Sequence, residues 1–422
     1  MKKLKAIAAL CLVSVSVCGQ TLDECRAAAE RHYPLISRYD LIRQTRDVTV
    51  ENISKGWYPH ITASAQGTLQ NRVVELPDAM NQLMAAQGLD VKGLSKGQYR
   101  AGLDVTQLLY DGGRISAGKE VARRQSDVES RQTEVDIYQV HQRVNDLYFG
   151  ILLTDARLSQ NEAMTRLLLT NEKKLQSMYE RGTASLYDLN AVKTERVKTE
   201  QQRAELEVQR RSLAALLSAF TGLETGTLVK PAATGEEEAA TAARPELRYF
   251  DSQIALADAR EQQLRAGRRP TVSAFASGYY GYPGYDMYYD MFHRHPTLNG
   301  TIGVRVSWDL GWIWTFRNDR RKLALQRSMA ENGRATFLFN NSLELQQQTD
   351  ETEKYRRLMR YDEEILALRT QMRQAAESKL DHGIIAANDL VRDITGESEA
   401  QTALSLHEIQ YLKAVYDKKI TR

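Results

Sequence analysis

The sequence predicts a mixed fold of four membrane-crossing strands and long coiled-coil helices per chain, arranged as two structural repeats. Three observations support this prediction. Landmarks of the first half recur in the second, proline is missing from two long stretches, and the spacing of apolar residues alternates between a helical and a strand period. Each observation defines a different set of elements.

The recurring landmarks are prolines and two short motifs. Pro34 and Pro59 have the same spacing as Pro245 and Pro270. The motifs that follow in the same order are LLYDGG (108–113) with SWDLGW (307–312), and RGTASLYDLN (181–190) with HGIIAANDLV (382–391). Such an order indicates an internal repeat. We divide the chain into a signal peptide (1–19), a first repeat (20–230), a linker (231–245) and a second repeat (246–422).

The N-terminal residues have the pattern of a secretory signal peptide, with three lysines before an apolar run at 6–17 and small residues around Gly19. We expect cleavage before Gln20, and a lipid-anchored start at Cys18 is the alternative. Removal of this segment leaves 57 − 3 = 54 basic residues against 54 acidic ones. A chain with this balance offers no electrostatic attraction for nucleic acid.

Proline is absent from 78–230 and from 297–422, so these stretches can hold long helices. Apolar residues there recur at steps of three and four, as in a coiled coil. The two seams are Val140, Val144, Leu147, Ile151 and Leu158 in the first half, and Leu358, Tyr361, Ile365, Leu368, Met372 and Ala375 in the second. The pattern predicts long helices at 115–181 and 312–382, and shorter ones at 23–55, 186–220, 246–267 and 387–420.

Between the helices the apolar period becomes two, which predicts strand hairpins within 58–110 and 271–311. The strands are about ten residues long, the length that crosses a bilayer in a tilted barrel. Four strands cannot close a barrel alone, and open edges in lipid leave backbone groups without partners. Several copies must therefore combine, and three copies would supply twelve strands.

The whole arrangement resembles the TolC-like outer-membrane efflux proteins (outer membrane factors). The residues that carry the resemblance are TLDECRAAAERHYPLI (21–36), YDGG (110–113) and the two Gly-turn-Asp-Leu segments at 182–189 and 383–390. The resemblance implies a homotrimer with a twelve-stranded barrel in outer-membrane lipid and a periplasmic α-helical tunnel. It also implies transport without catalysis or cofactor, through a periplasmic adaptor protein and an inner-membrane pump, either proton-driven (RND) or ATP-driven (ABC).

The two glycine turns are predicted to be the tips of helical hairpins, because Gly182 and Gly383 suit a left-handed helix end. Small and apolar residues at these tips are candidate adaptor contacts, although they could instead pack the turns on themselves. The candidate set is Gly182, Thr183, Ala184, Ser185, Leu186, Gly383, Ile384, Ile385 and Ala386.

Three charged residues beyond the tips are candidates for a periplasmic gate by the same resemblance: Asp188, Asp389 and Arg392. Asp188 also has a structural explanation, because Ser185 and Asp188 spell a capping box. Asp389 lacks this explanation, since Ala386 occupies the cap position. Arg392 stands where the family can have a second Asp, so Asp389 could form a cation-binding ring or a tether to Arg392 between neighbouring helices.

Two other functional classes are less consistent with the sequence. An enzyme would need a convergent acid, base or nucleophile set, and no such motif stands out. A periplasmic coiled-coil or adhesin stalk would have no use for the alternating strands. The tyrosine-rich segment at 278–296 joins two strands and is predicted to be an outward loop with interfacial aromatics, and its His293 and His295 make a poor metal site.

Overall fold

The computed structural model describes residues 19–91, 93–232, 244–382 and 384–422. The predicted signal peptide at 1–18, most of the predicted linker and Gly383 lie outside these residues. Contacts divide the chain into two compact units. The first comprises the described residues of Met1–Tyr39, Gln132–Leu247 and Ala335–Arg422, and the second comprises Asp40–Arg131 and Arg248–Arg334.

Helices and strands follow an order that occurs twice, except that the first set has one more helix at its start. The first set is α1 (Leu22–His32), α2 (Ile36–Ser54), β1 (His60–Leu69), α3 (Asp78–Ala86), β2 (Gly97–Tyr110), α4 (Arg114–Glu180) and α5 (Leu186–Thr221). The second set is α6 (Pro245–Ala266), β3 (Thr271–Tyr282), α7 (Met287–Phe292), β4 (Thr297–Ser307), α8 (Trp312–Asp381) and α9 (Ala387–Thr421). The long helices α4 and α8 have 67 and 70 residues, as the absence of proline predicted.

The first predicted helix, 23–55, is wrong in one respect, because it is two helices. The chain leaves the helical conformation at Tyr33, which has an extended backbone (φ −65°, ψ 131°). Pro34 is the physical reason, since the ring of a proline disfavours helical geometry in the preceding residue. Thr21 and Glu24 form a capping box at the start of α1, so the first helix has its own signals at both ends.

The LLYDGG and SWDLGW motifs make matching turns before the long helices. The carboxylate of Asp111 accepts hydrogen bonds from the backbone N–H groups of Gly113 (2.7 Å) and Ile115 (2.6 Å). Asp309 accepts the N–H of Gly311 at 2.8 Å in the same way. An aspartate thus satisfies backbone donors where each strand passes into a long helix.

The second unit contains a four-stranded antiparallel sheet in the order β1-β2-β3-β4. Gln66 pairs with Arg100, Gly102 with Tyr279, and Phe275 with Gly303. Each loop of the sheet carries a short helix, α3 or α7, that the sequence analysis did not predict. These loops pack together through buried Leu94, Tyr282 and Met291, with the N–H of Ser95 donating to the hydroxyl of Tyr282 at 3.0 Å.

One of the two hydrophobic cores of the first unit is a cluster of buried residues from α1, α4, α5 and α9. Val140, Val144 and Ile151 of the predicted seam in α4 are among its members, together with the rings of Tyr148 and Phe149. The hydroxyl of Tyr148 hydrogen-bonds the backbone carbonyls of Gln20 and Val229. Apolar residues of the first seam are therefore buried by contacts within one chain. Over the described part of the chain, no helix is both long enough and apolar enough to cross a membrane.

Candidate functional site

The first tip turn ends α4 through a left-handed glycine. Gly182 has φ +73°, where residues with a Cβ are strained. Its N–H donates to the carbonyl of Tyr179 at 2.9 Å, and the N–H of Thr183 donates to the carbonyl of Met178 at 2.8 Å. These two bonds define a Schellman motif, which satisfies the last carbonyls of the helix.

The next helix begins with the predicted capping box. The hydroxyl of Ser185 accepts the N–H of Asp188, and the carboxylate of Asp188 accepts the N–H of Ser185 at 3.2 Å. The hydroxyl of Ser185 also contacts this carboxylate at 2.5 Å. The pKa of Asp188 is held below its usual value of 3.8 by the side-chain hydrogen bond from Ser185, against an opposing effect of burial, and by N–H groups of Ser185 and Ala387.

Asp188 therefore connects the starts of two helices. Its carboxylate faces its own helix α5 and also the N–H of Ala387 at the start of α9. The partial positive charges of two helix N-termini stabilise the same anion. Ala386 is the N-cap of α9 and makes no side-chain cap, as predicted.

The second tip repeats one bond of the first. The N–H of Ile384 donates to the carbonyl of Lys379 at 2.9 Å, which matches the bond from Thr183 to Met178.

Asp389 and Arg392 lie one turn apart on α9 with 3.6 Å between carboxylate and guanidinium, and both are exposed. Within the described chain the predicted tether between neighbouring helices is thus a weak pair inside one helix, of about 0.3 kcal/mol.

The tip residues divide into a packed and an exposed set. Ala184, Ile385 and Ala387 pack on a cluster that contains Leu189 of α5 and Leu390 of α9. By contrast, Leu186 and Ile384 are 52% and 70% exposed. Tyr187 was missing from the predicted set although it is 73% exposed and adjoins Leu186. Its position in the sequence could have identified it, because Tyr187 is a large aromatic residue in the first helical turn after the N-cap Ser185.

The two faces of the sheet differ in polarity, as the period of two predicted. One face is apolar and exposed, and its large side chains include Ile61, Leu69, Tyr99, Leu103, Tyr280, Leu298, Ile302, Val304 and Val306. Ile302 is 84% exposed and Leu298 is 82% exposed. The other face carries Thr62, Ser64, Gln66, Thr68, Arg100, Asp104, Ser277, Asn299, Thr301 and Arg305. Apolar patches of this size on a protein surface mark contacts with lipid or protein.

The seam of the second repeat is exposed, unlike its counterpart in the first. Tyr361, Ile365, Leu368 and Met372 lie along one side of α8, and all four are exposed. Nearer the tip, Ala376 and Leu380 of α8 are buried in the cluster that also contains Leu390 of α9. This apolar stripe has no partner among the described residues of the chain.

The tyrosine-rich segment does not gather metal ligands. His293 stacks on Tyr289 with 4.4 Å between ring centroids. No group of three or more His, Cys, Asp or Glu side chains suited to a metal ion occurs among the described residues. Buried Asp290 instead accepts the N–H of Gly284 at 2.6 Å and organises the loop.

No protein-family model matches the sequence, and no curated protein matches it. Solved structures of outer-membrane proteins, however, match nearly the whole chain. The outer membrane protein VceC of Vibrio cholerae has a TM-score of 0.68 at 13% identity, with 94% of each chain covered. CusC, described as forming a transmembrane channel, has a TM-score of 0.68 at 12% sequence identity. The match covers 96% of this chain and 91% of the CusC chain.

The MtrE outer membrane channel of Neisseria gonorrhoeae matches with a TM-score of 0.66 at 12% identity, covering 95% of this chain and 88% of MtrE. Similarity of this extent over both chains shows a common fold. The chain therefore has the fold of the TolC-like outer-membrane channels, which confirms the predicted fold class.

Proposed function

We propose that this chain is one copy of a trimeric exit duct in the outer membrane, which passes substrates out of the cell as part of a tripartite efflux or secretion system. The observation that carries the proposal is the two-faced sheet, with an exposed apolar face and a polar face. In water an exposed apolar face of this extent is unfavourable, whereas in lipid it is the expected outer surface of a barrel.

The edges of the sheet support assembly of several copies. Strands β1 and β4 are the two ends of the strand order, so each has one side without a strand partner in the described chain. In lipid such an edge would leave backbone N–H and C=O groups unsatisfied. Pairing β4 of one copy with β1 of the next removes both edges, and three copies close a barrel of twelve strands.

The experiment is to extract the full-length protein from membranes in detergent, measure the mass of the assembly by light scattering, and insert it into a planar bilayer. We expect three copies and a stable ion current, with the protein insoluble without detergent. A chain that purifies as a monomer in plain buffer would favour the alternative, a periplasmic coiled-coil or adhesin stalk without a channel.

We further propose that the exposed tip residues contact a periplasmic adaptor protein, which links the duct to an inner-membrane pump, proton-driven (RND) or ATP-driven (ABC). Ile384 and Leu186 are the better candidates, because the packed Ile385 and Ala184 support the tip itself. Ile384→Asp should reduce efflux of a pump substrate at least about tenfold while three copies still assemble. Gln201→Asp, at an exposed position of α5, is the matched control, and normal efflux in Ile384→Asp would contradict the contact.

We also propose that Asp188, Asp389 and Arg392 help to close the periplasmic mouth. Since the pair of Asp389 and Arg392 is exposed within its own chain, its side chains are available to other copies. Asp389→Ala should raise the entry of a large antibiotic into cells, measured as a fall of at least about fourfold in its inhibitory concentration. Glu399→Ala, a carboxylate further along α9, controls for charge, and unchanged sensitivity in Asp389→Ala would count against the gate.

A further inference from the structure

The polar face of the sheet carries two arginine side chains that are held over aromatic rings. The guanidinium of Arg305 lies 4.8 Å from the centroid of the Phe275 ring, and that of Arg100 lies 6.0 Å from the Tyr279 ring. Both distances are within the range of cation–π attraction. The amide oxygen of Gln66 accepts a hydrogen bond from Arg100 at 3.1 Å, which fixes this guanidinium further.

Each of these two aromatic residues is paired with a glycine of the adjacent strand. Phe275 pairs with Gly303, and a Cβ at Gly303 would come within 2.9 Å of the Phe275 ring. Tyr279 pairs with Gly102, where a Cβ would come within 2.7 Å of the Tyr279 Cβ. The lack of a side chain at both glycines lets the aromatic residues lie close to the sheet, an arrangement known to support glycines in strands.

A guanidinium stacked on an aromatic ring, with a glycine paired to the aromatic residue, therefore occurs twice on one face. The two stacks use β3 for both rings, and β2 and β4 for the two glycine and arginine pairs. Asp104 is the carboxylate on this face of the strands, and no ion pair joins it to Arg100 or Arg305 among the described residues. The polar face of each chain thus carries two positively charged arginines and one negatively charged aspartate on its strands.

We propose that these stacks make the barrel section of the duct selective for anions, so that negatively charged solutes are favoured among its substrates. The inference rests on the proposed function, in which the polar face lines the pore. Three copies would place six guanidinium groups and three carboxylates around the lumen. Rings of Arg or Lys side chains raise the local concentration of anions in a pore. Ring stacking keeps the guanidinium groups on the wall, with N–H groups free to contact passing anions.

The test measures the chloride-to-potassium permeability ratio of the reconstituted full-length protein, from the reversal potential in a KCl gradient. His60 shares the polar face, so the measurement is made at about pH 8, above the usual titration range of histidine. The double variant Arg100→Gln/Arg305→Gln should lower the ratio about twofold or more. Asp104→Asn should raise it, and the charge-retaining double variant Arg100→Lys/Arg305→Lys should keep the wild-type ratio.

An unchanged ratio in the glutamine variant, with the current and the three-copy mass preserved, would overturn the inference and leave the proposed function intact. If the double variant does not assemble, Arg305→Gln alone must still lower the ratio, or the inference fails. Absence of any current from the wild-type protein would instead contradict the proposed function.

Discussion

Asp188 and Asp389 follow the two tip turns at the same spacing, yet they have different surroundings. Asp188 accepts hydrogen bonds from Ser185 at the start of α5, while Asp389 has an exposed arginine one turn away. The difference originates in the residue three positions earlier, which is Ser185 in the first turn and Ala386 in the second. One substitution between the repeats thus separates a structural carboxylate from one that remains available for other contacts.

The capping role of Asp188 gives a pH-dependent prediction. Because folding lowers its pKa, Asp188 stabilises the tip above its usual value of 3.8 and loses this effect as the pH falls through the lower folded value. At pH 6, Asp188→Asn should speed amide exchange in the first turn of α5 about fivefold, which corresponds to about 1 kcal/mol for a cap. The gap between variant and wild type should begin to narrow as the pH falls to about 3.8 and should vanish once the pH is below the lowered pKa of folded Asp188.

Amide hydrogen exchange by mass spectrometry, corrected for intrinsic rates, would measure this effect. Asp389→Asn is the matched control and should leave the exchange of α5 unchanged, because Asp389 caps no helix in the described chain. Equal exchange in wild type and Asp188→Asn at pH 6 would show that the carboxylate does not hold the tip.

At this scale the sequence predicted only part of the site. The roles of Gly182 and Ser185 follow from local rules for helix ends, so they could be predicted from neighbouring residues. The exposure of Ile384 and the partial burial of Ile385 could not, because they depend on how the tip packs against Leu390. The contact of Asp188 with Ala387 likewise joins residues that are far apart in sequence.

At the scale of elements, long helices and strands were predictable and short helices were not. The bounds of α4, Arg114–Glu180, lie within one residue of the predicted 115–181, because glycines flank both ends of the helix. Helix α7 has six residues and depends on the packing of Met291 with Leu94. Helices this short have little intrinsic stability, so a sequence pattern alone does not reveal them.

The alternation along β4 predicts opposite effects for two adjacent positions. Ile302 belongs to the apolar face and Thr301 to the polar face. A lysine on the lipid side of a barrel costs about 2–4 kcal/mol near the midplane, whereas a lumen position tolerates it. Ile302→Lys should therefore lower the amount of assembled protein in the outer-membrane fraction severalfold, while Thr301→Lys should assemble normally. The opposite ranking in membrane fractionation would mean that the apolar face does not contact lipid.

At the scale of the whole molecule, the two repeats have similar element orders, but the first repeat buries its apolar seam and the second exposes its own. Val144 and Ile151 of α4 are fully buried, whereas Ile365 and Leu368 of α8 are exposed. The sequence predicted both seams from the same spacing and could not distinguish them, since the period of a seam does not specify its partner. An exposed seam on a long helix is what a protomer needs in order to pack its helices against those of the next copy.

If the α8 seam joins copies, a charge placed in it should prevent assembly. Leu368→Glu would bury an unpaired carboxylate in each interface, at about 3–5 kcal/mol per site. Gln374→Glu adds the same charge to an exposed position on another side of α8 and should leave assembly unchanged. Light scattering in detergent should then give three copies for wild type and Gln374→Glu, and single chains for Leu368→Glu. Retention of three copies by Leu368→Glu would assign the assembly contacts to the sheet alone and leave the seam for a different partner.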